Sequence, residues 1–123
     1  MGILSDFIRD RKLRSQRKKD LSDKIIKRDY ESVGQILKRE INLGDYSFVA
    51  YGVKYVGFMQ NIFRSIRVKR TIDLPENFFE GLLEALEKKG PSHRIGLNYR
   101  RLKTLLKYEI DLKKEKSPQP NRL

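Results

Sequence analysis

Cysteine and tryptophan are absent from the 123 residues, and histidine occurs once. Without cysteine there is no disulfide framework, no thiolate nucleophile and no thiol-based zinc site, and an intracellular setting is expected. The one histidine, His93, stands beside Ser92 in a turn opened by Gly90-Pro91. Adjacency of Ser and His in sequence does not create triad geometry, which needs a base, an orienting group and an oxyanion site brought together by a fold. Neither common phosphate-cradling glycine loop is present, and no HExxH zinc helix. The carboxylates mostly sit beside lysines and arginines, which favours solvated pairing over a dedicated acid-base couple. Long apolar runs are missing too. The most apolar stretch, "DYSFVAYGVKYVGFMQNIFRSI", is broken by Lys54, Gln60 and Asn61, short of the roughly 18 consecutive apolar residues of a membrane span. The amino terminus lacks the basic-then-apolar order of a secretory signal. No internal repeat of fixed period appears. The expectation is a non-enzymatic protein without a cofactor.

What the chain has is positive charge. Lys and Arg number 28 against 16 Asp and Glu, a net charge of +12, with a sequence pI near 10.0. Polyanions and anionic membrane surfaces are the natural partners of such a surface. Residues 1–30 carry 10 cations against 5 acids and residues 91–123 carry 9 against 3, whereas residues 31–60 carry 3 of each. The ends are therefore basic around a near-neutral middle.

Apolar spacing points to an all-α, single compact domain of four or five helices: a basic N-terminal helix or arm over residues 1–20, a helical core over 21–112, and a mobile polar tail over 113–123. In the core, Leu21, Ile25, Ile26, Tyr30, Val33, Leu37 and Ile41 recur at intervals of mostly three or four. One helix or two fits that run, since Asp29 and Gly34 both weaken continuity; Asn42 to Gly44 supplies a stop. Phe48, Tyr51, Tyr55, Phe58, Met59, Ile62, Phe63 and Ile66 make a continuous stripe and Val49, Val53 and Val56 lie on other faces, which predicts a central helix surrounded by partners, with Gly52 and Gly57 as places for close approach of a neighbouring backbone. "TIDLPENFFEGLLEALEKKGP" predicts a helix capped by Asp73, with Pro75 in its first turn, Phe79, Leu82, Leu83 and Leu86 facing the core, and Gly90-Pro91 as the stop. A last helix from about Leu97 to Leu112 places Tyr99, Leu102, Leu106 and Ile110 on one face. Ile66 to Ile72 is the one segment where extended structure competes.

Three cationic groups remain as candidate phosphate contacts. The first, in "RDRKLRSQRKK", is Arg9, Arg11, Lys12, Arg14, Arg17, Lys18 and Lys19, seven cations in eleven positions spread around the helix axis. Such arginine-rich segments fold against RNA, guanidinium groups meeting phosphates and unpaired bases. The second is Arg64, Arg67, Lys69 and Arg70 in "RSIRVKR", more cations than helix capping needs. The third is Arg100, Arg101, Lys103 and Lys107, for which a solvated helix face is a sufficient explanation unless the fold brings them beside the others. Tyr99 and Tyr108 flank it as possible stacking residues. No RNP, KH, zinc-finger or basic-zipper pattern appears, so phosphate-dominated binding without base reading is the expected mode, with RNA favoured.

Two other readings use the same residues. In "MGILSD", Gly2 is a position for N-myristoylation, and an acyl chain beside a basic cluster gives the two signals that hold a protein on a membrane. The usual acylation pattern has Ser or Thr at position 6, where this chain has Asp6. Without a lipid, Ile3, Leu4, Phe7 and Ile8 still form an apolar segment for an anionic bilayer, as in a matrix-like or viral accessory protein. The third reading is a protein-protein interaction module in which the neutral helices dock and the basic ends only solubilise.

Overall fold

The computed structural model describes residues 2–65, 74–91 and 96–116, and the side chains of these except residues 2–4, 7, 10, 62–65, 115 and 116. Among the described residues there are five helices and no strand: α1 (Gly2–Ile26), α2 (Tyr30–Leu43), α3 (Tyr46–Ser65), α4 (Phe78–Lys89) and α5 (Leu97–Lys116). The protein is an all-α domain. No helix among the described residues is long and apolar enough to cross a membrane.

The first helix does not stop at residue 20; it continues through Leu21 and Ile25, both sealed in the core. It ends where Arg28 adopts φ 64°. The Arg28 amide then donates to the Ile25 carbonyl and the Asp29 amide to the Lys24 carbonyl, the paired bonds that satisfy orphan carbonyls at a helix terminus. Asp29 caps the next helix, its carboxylate accepting from the Ser32 amide at 3.4 Å. The periodic run from Leu21 to Ile41 is thus two helices, broken at Arg28 and Asp29 with Gly34 inside α2. Gly44 closes α2 at φ 84°, its amide reaching Ile41 and Glu40 carbonyls, so the predicted stop holds and a two-residue turn leads into α3.

Every helix contributes to one core. Leu21 and Ile25 of α1, Val33, Leu37 and Ile41 of α2, Val49, Val53 and Val56 of α3, Leu82 and Leu86 of α4, and Leu102 and Leu106 of α5 are fully buried. For α3 the expected face is rotated. The valines face inward, while Phe58 is 61% exposed and Tyr51, Tyr55 and Met59 are only partly covered. The reason is the close approach of neighbouring helices. A methyl group at Gly52 would lie 2.8 Å from Leu37 Cδ2 and 3.0 Å from Leu21 Cδ2, and one at Gly57 would lie 2.5 Å from a Glu109 carboxylate oxygen. Small residues fit that spacing and rings do not, so Tyr51, Tyr55 and Phe58 lie on the flank, whereas Phe48, earlier on the helix, is buried as expected.

The α4 helix starts later than expected. Asn77, in the left-handed region at φ 64°, precedes it, and Pro75 lies in the turn before, its carbonyl accepting from Phe78 N–H. Asp73 lies outside the described residues, as do Ile66 to Ile72. Gly90 ends the helix as predicted. The last helix runs to Lys116 rather than stopping at Leu112, because Lys113, Lys114, Glu115 and Lys116 are good helix formers and Ser117-Pro118 is the first strong break. The remainder of the expected tail is outside the described residues.

Candidate nucleic-acid interface

Helices α3 and α5 run parallel. Tyr46 and Tyr99 near their starts hold their ring centroids 6.1 Å apart, and Gly57 lies against Glu109 farther along. Helix α1 also runs parallel to α3: Arg17 lies over the Phe48 ring at 4.5 Å and Lys18 over Tyr51 at 5.2 Å, and Leu21 sits at Gly52. The turns of α1 before Arg17 therefore extend past the start of α3, at the end of the bundle where α5 also begins. Ser5, Asp6, Ile8, Arg9, Arg11, Lys12, Leu13, Arg14, Ser15 and Gln16 are all exposed there.

Between α3 and α5 lies an open groove of about 760 Å³. Ser47, Ala50, Tyr51 and Lys54 line it from α3, and Arg101, Thr104, Leu105 and Tyr108 from α5. Both sets have the spacing i, i+3, i+4, i+7, which puts four side chains of each helix on one stripe. Tyr46, Asn98 and Arg100 complete the wall, and no carboxylate among the described residues lines it. Nor does any described carboxylate form an ion pair with Lys54, Arg100 or Arg101. Tyr46 is structural, since its hydroxyl donates to the Gly90 carbonyl at 2.6 Å and ties α3 to the end of α4. Tyr108 is the exposed ring of the groove, and Tyr51 is partly covered, with Tyr55 beside it and Lys18 over it.

A second groove, between α1 and α2, has a different character. Arg17, Lys24 and Arg39 share it with Asp20 and Glu40. Arg17 is 2.6 Å from the buried Glu40 carboxylate and 3.7 Å from Asp45, so its charge is used within the fold. Opposite charges at that distance largely cancel the field a distant anion feels.

The candidate cations thus fall into separate places. Lys18 approaches the α3–α5 groove through Tyr51, and Arg100 and Arg101 line it directly. Arg9, Arg11, Lys12 and Arg14 are on the exposed part of α1, and Lys19 is exposed farther along that helix. Lys103 turns away from the groove toward α4, 3.4 Å from Glu87 and over the Tyr99 ring at 5.8 Å. Lys107 is exposed. Arg64 lies in the last turn of α3 with its side chain outside the description; Arg67, Lys69 and Arg70 lie outside the described residues, as does His93. For the membrane reading, Gly2, Ile3, Leu4 and Phe7 are in α1 with side chains not described, and Ile8 is 47% exposed.

Sequence reasoning passed over Lys54, which it used only as an interruption of an apolar run, and assigned Tyr51 to the core. The pattern Tyr51, Lys54, Tyr55, Phe58 carried the signal: aromatic residues one turn either side of a cation mark a face that meets both water and an apolar surface. Among the described residues no group of three His, Cys, Asp or Glu side chains is arranged to hold a metal. No protein-family model, curated protein or solved structure matches the chain, and the functional reading rests on these residues.

Proposed function

We propose that this is a non-enzymatic accessory protein that binds nucleic acid, RNA in preference, mainly through its phosphates. The observation that carries the reading is the groove between α3 and α5, lined by no described carboxylate, where Lys54, Arg100 and Arg101 stand around the partly covered Tyr51 and the exposed Tyr108. The N-termini of α3 and α5 lie at one end of it; α5 has no acid in its first turn and adds partial positive charge there, while the α3 end is capped by the Asp45 carboxylate, which accepts from the Phe48 amide at 3.3 Å. The exposed Arg9, Arg11, Lys12 and Arg14 extend the cationic surface beyond the bundle. Lys19 and Lys107 add to the general field and are not part of the groove. Arginine-rich helical segments fit the phosphates and unpaired bases of RNA, which supports the preference.

A salt series tests it. With a labelled RNA and the full chain, affinity should fall by roughly 10³ or more between about 50 and 200 mM salt if several phosphates are neutralised. Affinity indifferent to salt would contradict the reading. A peripheral-membrane role has one observation in its favour, the exposure of Ile8 and Leu13, 47% and 55%, on a cationic helix. Flotation with anionic vesicles checks it, and equal flotation of parent and Gly2→Ala would discard acylation as the cause.

A further inference from the structure

We infer that the α3–α5 groove takes the unpaired bases of a single-stranded nucleic acid, a strand preference that deepens the phosphate-led binding proposed above and rests on it. The lining divides by exposure. Ala50, Tyr51 and Leu105 are partly covered and form an apolar floor, while Lys54, Arg100, Arg101 and Tyr108 are exposed beside it. A phosphate gains little from that floor, because it is strongly hydrated and Ala50, Leu105 and the Tyr51 ring face are apolar, the Tyr51 hydroxyl being the floor's one side-chain donor. A base does gain, since it is flat, apolar on both faces and able to stack on a phenol ring. Seven residues of helix give a stripe about 10 Å long, a scale suited to a base with its neighbouring phosphates on the flanking cations.

A duplex presents the complementary case. Its phosphates reach Lys54, Arg100 and Arg101, but its bases stay stacked inside and leave the floor unused. The two substrates should therefore share the cation contribution and differ in the aromatic one. Tyr108 isolates the difference. It is 58% exposed, so its removal leaves the core intact.

The experiment measures anisotropy of a labelled, unstructured RNA, free and annealed to its complement, at low salt. Parent, Tyr108→Ala and Tyr108→Phe proteins are compared. Expected is tighter binding of the unpaired strand by the parent, and a loss of about fivefold to a hundredfold for Tyr108→Ala on that strand alone. Tyr108→Phe should retain the parent preference, because stacking needs the ring and not the hydroxyl. An equal loss on both substrates, no loss on either, or a duplex bound as tightly as the single strand would overturn the inference while leaving phosphate binding standing. Absence of salt-sensitive binding to both substrates would remove the phosphate reading itself.

Discussion

In the second half of α1, Arg17 pairs with Glu40 and covers the Phe48 ring while Leu21 and Ile25 are sealed into the core. In the first half, every side chain described is open to solvent, Leu13 included. Both halves are basic, and local composition alone does not separate them. What separates them is the presence of α2 and α3 alongside: from Arg17 onward the helix packs on buried residues of both, and before it every described side chain is exposed. A cation that meets a buried carboxylate is consumed by the fold, and one that meets only water keeps its field for a ligand. The same distinction recurs on α5, where Lys103 is taken up by Glu87 and Tyr99 while Arg100 and Arg101 face an acid-free groove.

The comparison breaks most visibly through apolar truncation. Leu21→Ala empties a fully buried site between α1, α2 and α3 and should cost about 2–5 kcal/mol in urea unfolding. Leu13→Ala, on the same helix at 55% exposure, should stay within about 0.5 kcal/mol of the parent. A matching loss at both positions would mean that the two halves of α1 do not differ. Next in size is Gly52→Ala, which drives a methyl into Leu37 and Leu21. Overpacking of this kind costs about 1–3 kcal/mol, read from the thermal midpoint.

Arginine replacements sharpen the contrast at constant chemistry. Arg17→Ala removes the nearer of two arginine partners of Glu40, whose side chain is 5% exposed, and leaves Arg39 at 4.0 Å. Arg17 is itself 39% exposed, so solvent screens the pair and the cost should be about 1–2 kcal/mol, below that of a fully buried bridge. Adding Glu40→Gln should restore part of it, because a neutral amide is cheaper to leave buried than a carboxylate whose remaining partner is the exposed Arg39 at 4.0 Å. Arg14→Ala should be silent in the same assay. No recovery in the double variant would assign the Arg17 effect to its packing on Phe48 alone.

The smallest effect comes from Tyr30, whose hydroxyl is buried without a well-formed hydrogen bond. Burial pushes its phenol up from the ordinary value of 10.0, and the neighbouring Gln60 amide and Arg28 guanidinium lower it by less. The folded chain therefore holds this proton to higher pH than the unfolded chain does. Stability from the neutral phenol is complete below about pH 10 and is lost as pH rises through the raised value. Unfolding midpoints measured across that range should fall less steeply for Tyr30→Phe than for the parent; identical slopes would place the alkaline loss elsewhere.

The helix class, the α2 and α4 stops at Gly44 and Gly90, and the inward face of α5 were legible because spacing and glycine both act locally. The break between α1 and α2 was legible only as a choice between Asp29 and Gly34, and of the two Asp29 marks it, as the cap of α2. It falls at Arg28, a residue with no preference for the left-handed region, and is set by the packing of Leu21 and Ile25 against α2 and α3. The face of α3 was legible in part: Phe48 is buried and Gly52 and Gly57 mark close approach, as expected, but hydrophobicity ranks Tyr and Phe with Val, and the spacing at those glycines turns the valines inward rather than Tyr51, Tyr55 and Phe58. That rotation also hid the groove. Once the rings leave the core, Tyr51 and Lys54 become a surface that no composition argument separates from the interior. Arg100 and Arg101 were picked out by charge, and Lys103 beside them has the same charge and a different use.

The most direct test replaces Arg9, Arg11, Lys12 and Arg14 together by glutamine and follows the unfolding midpoint and the salt dependence of RNA affinity side by side. Expected is an unchanged midpoint, with weaker binding whose slope against log salt shrinks by up to about 3, the value for four lost single-strand phosphate contacts. A midpoint that falls with the charges, or an affinity and slope untouched by their loss, would contradict the assignment of this half of α1 to binding.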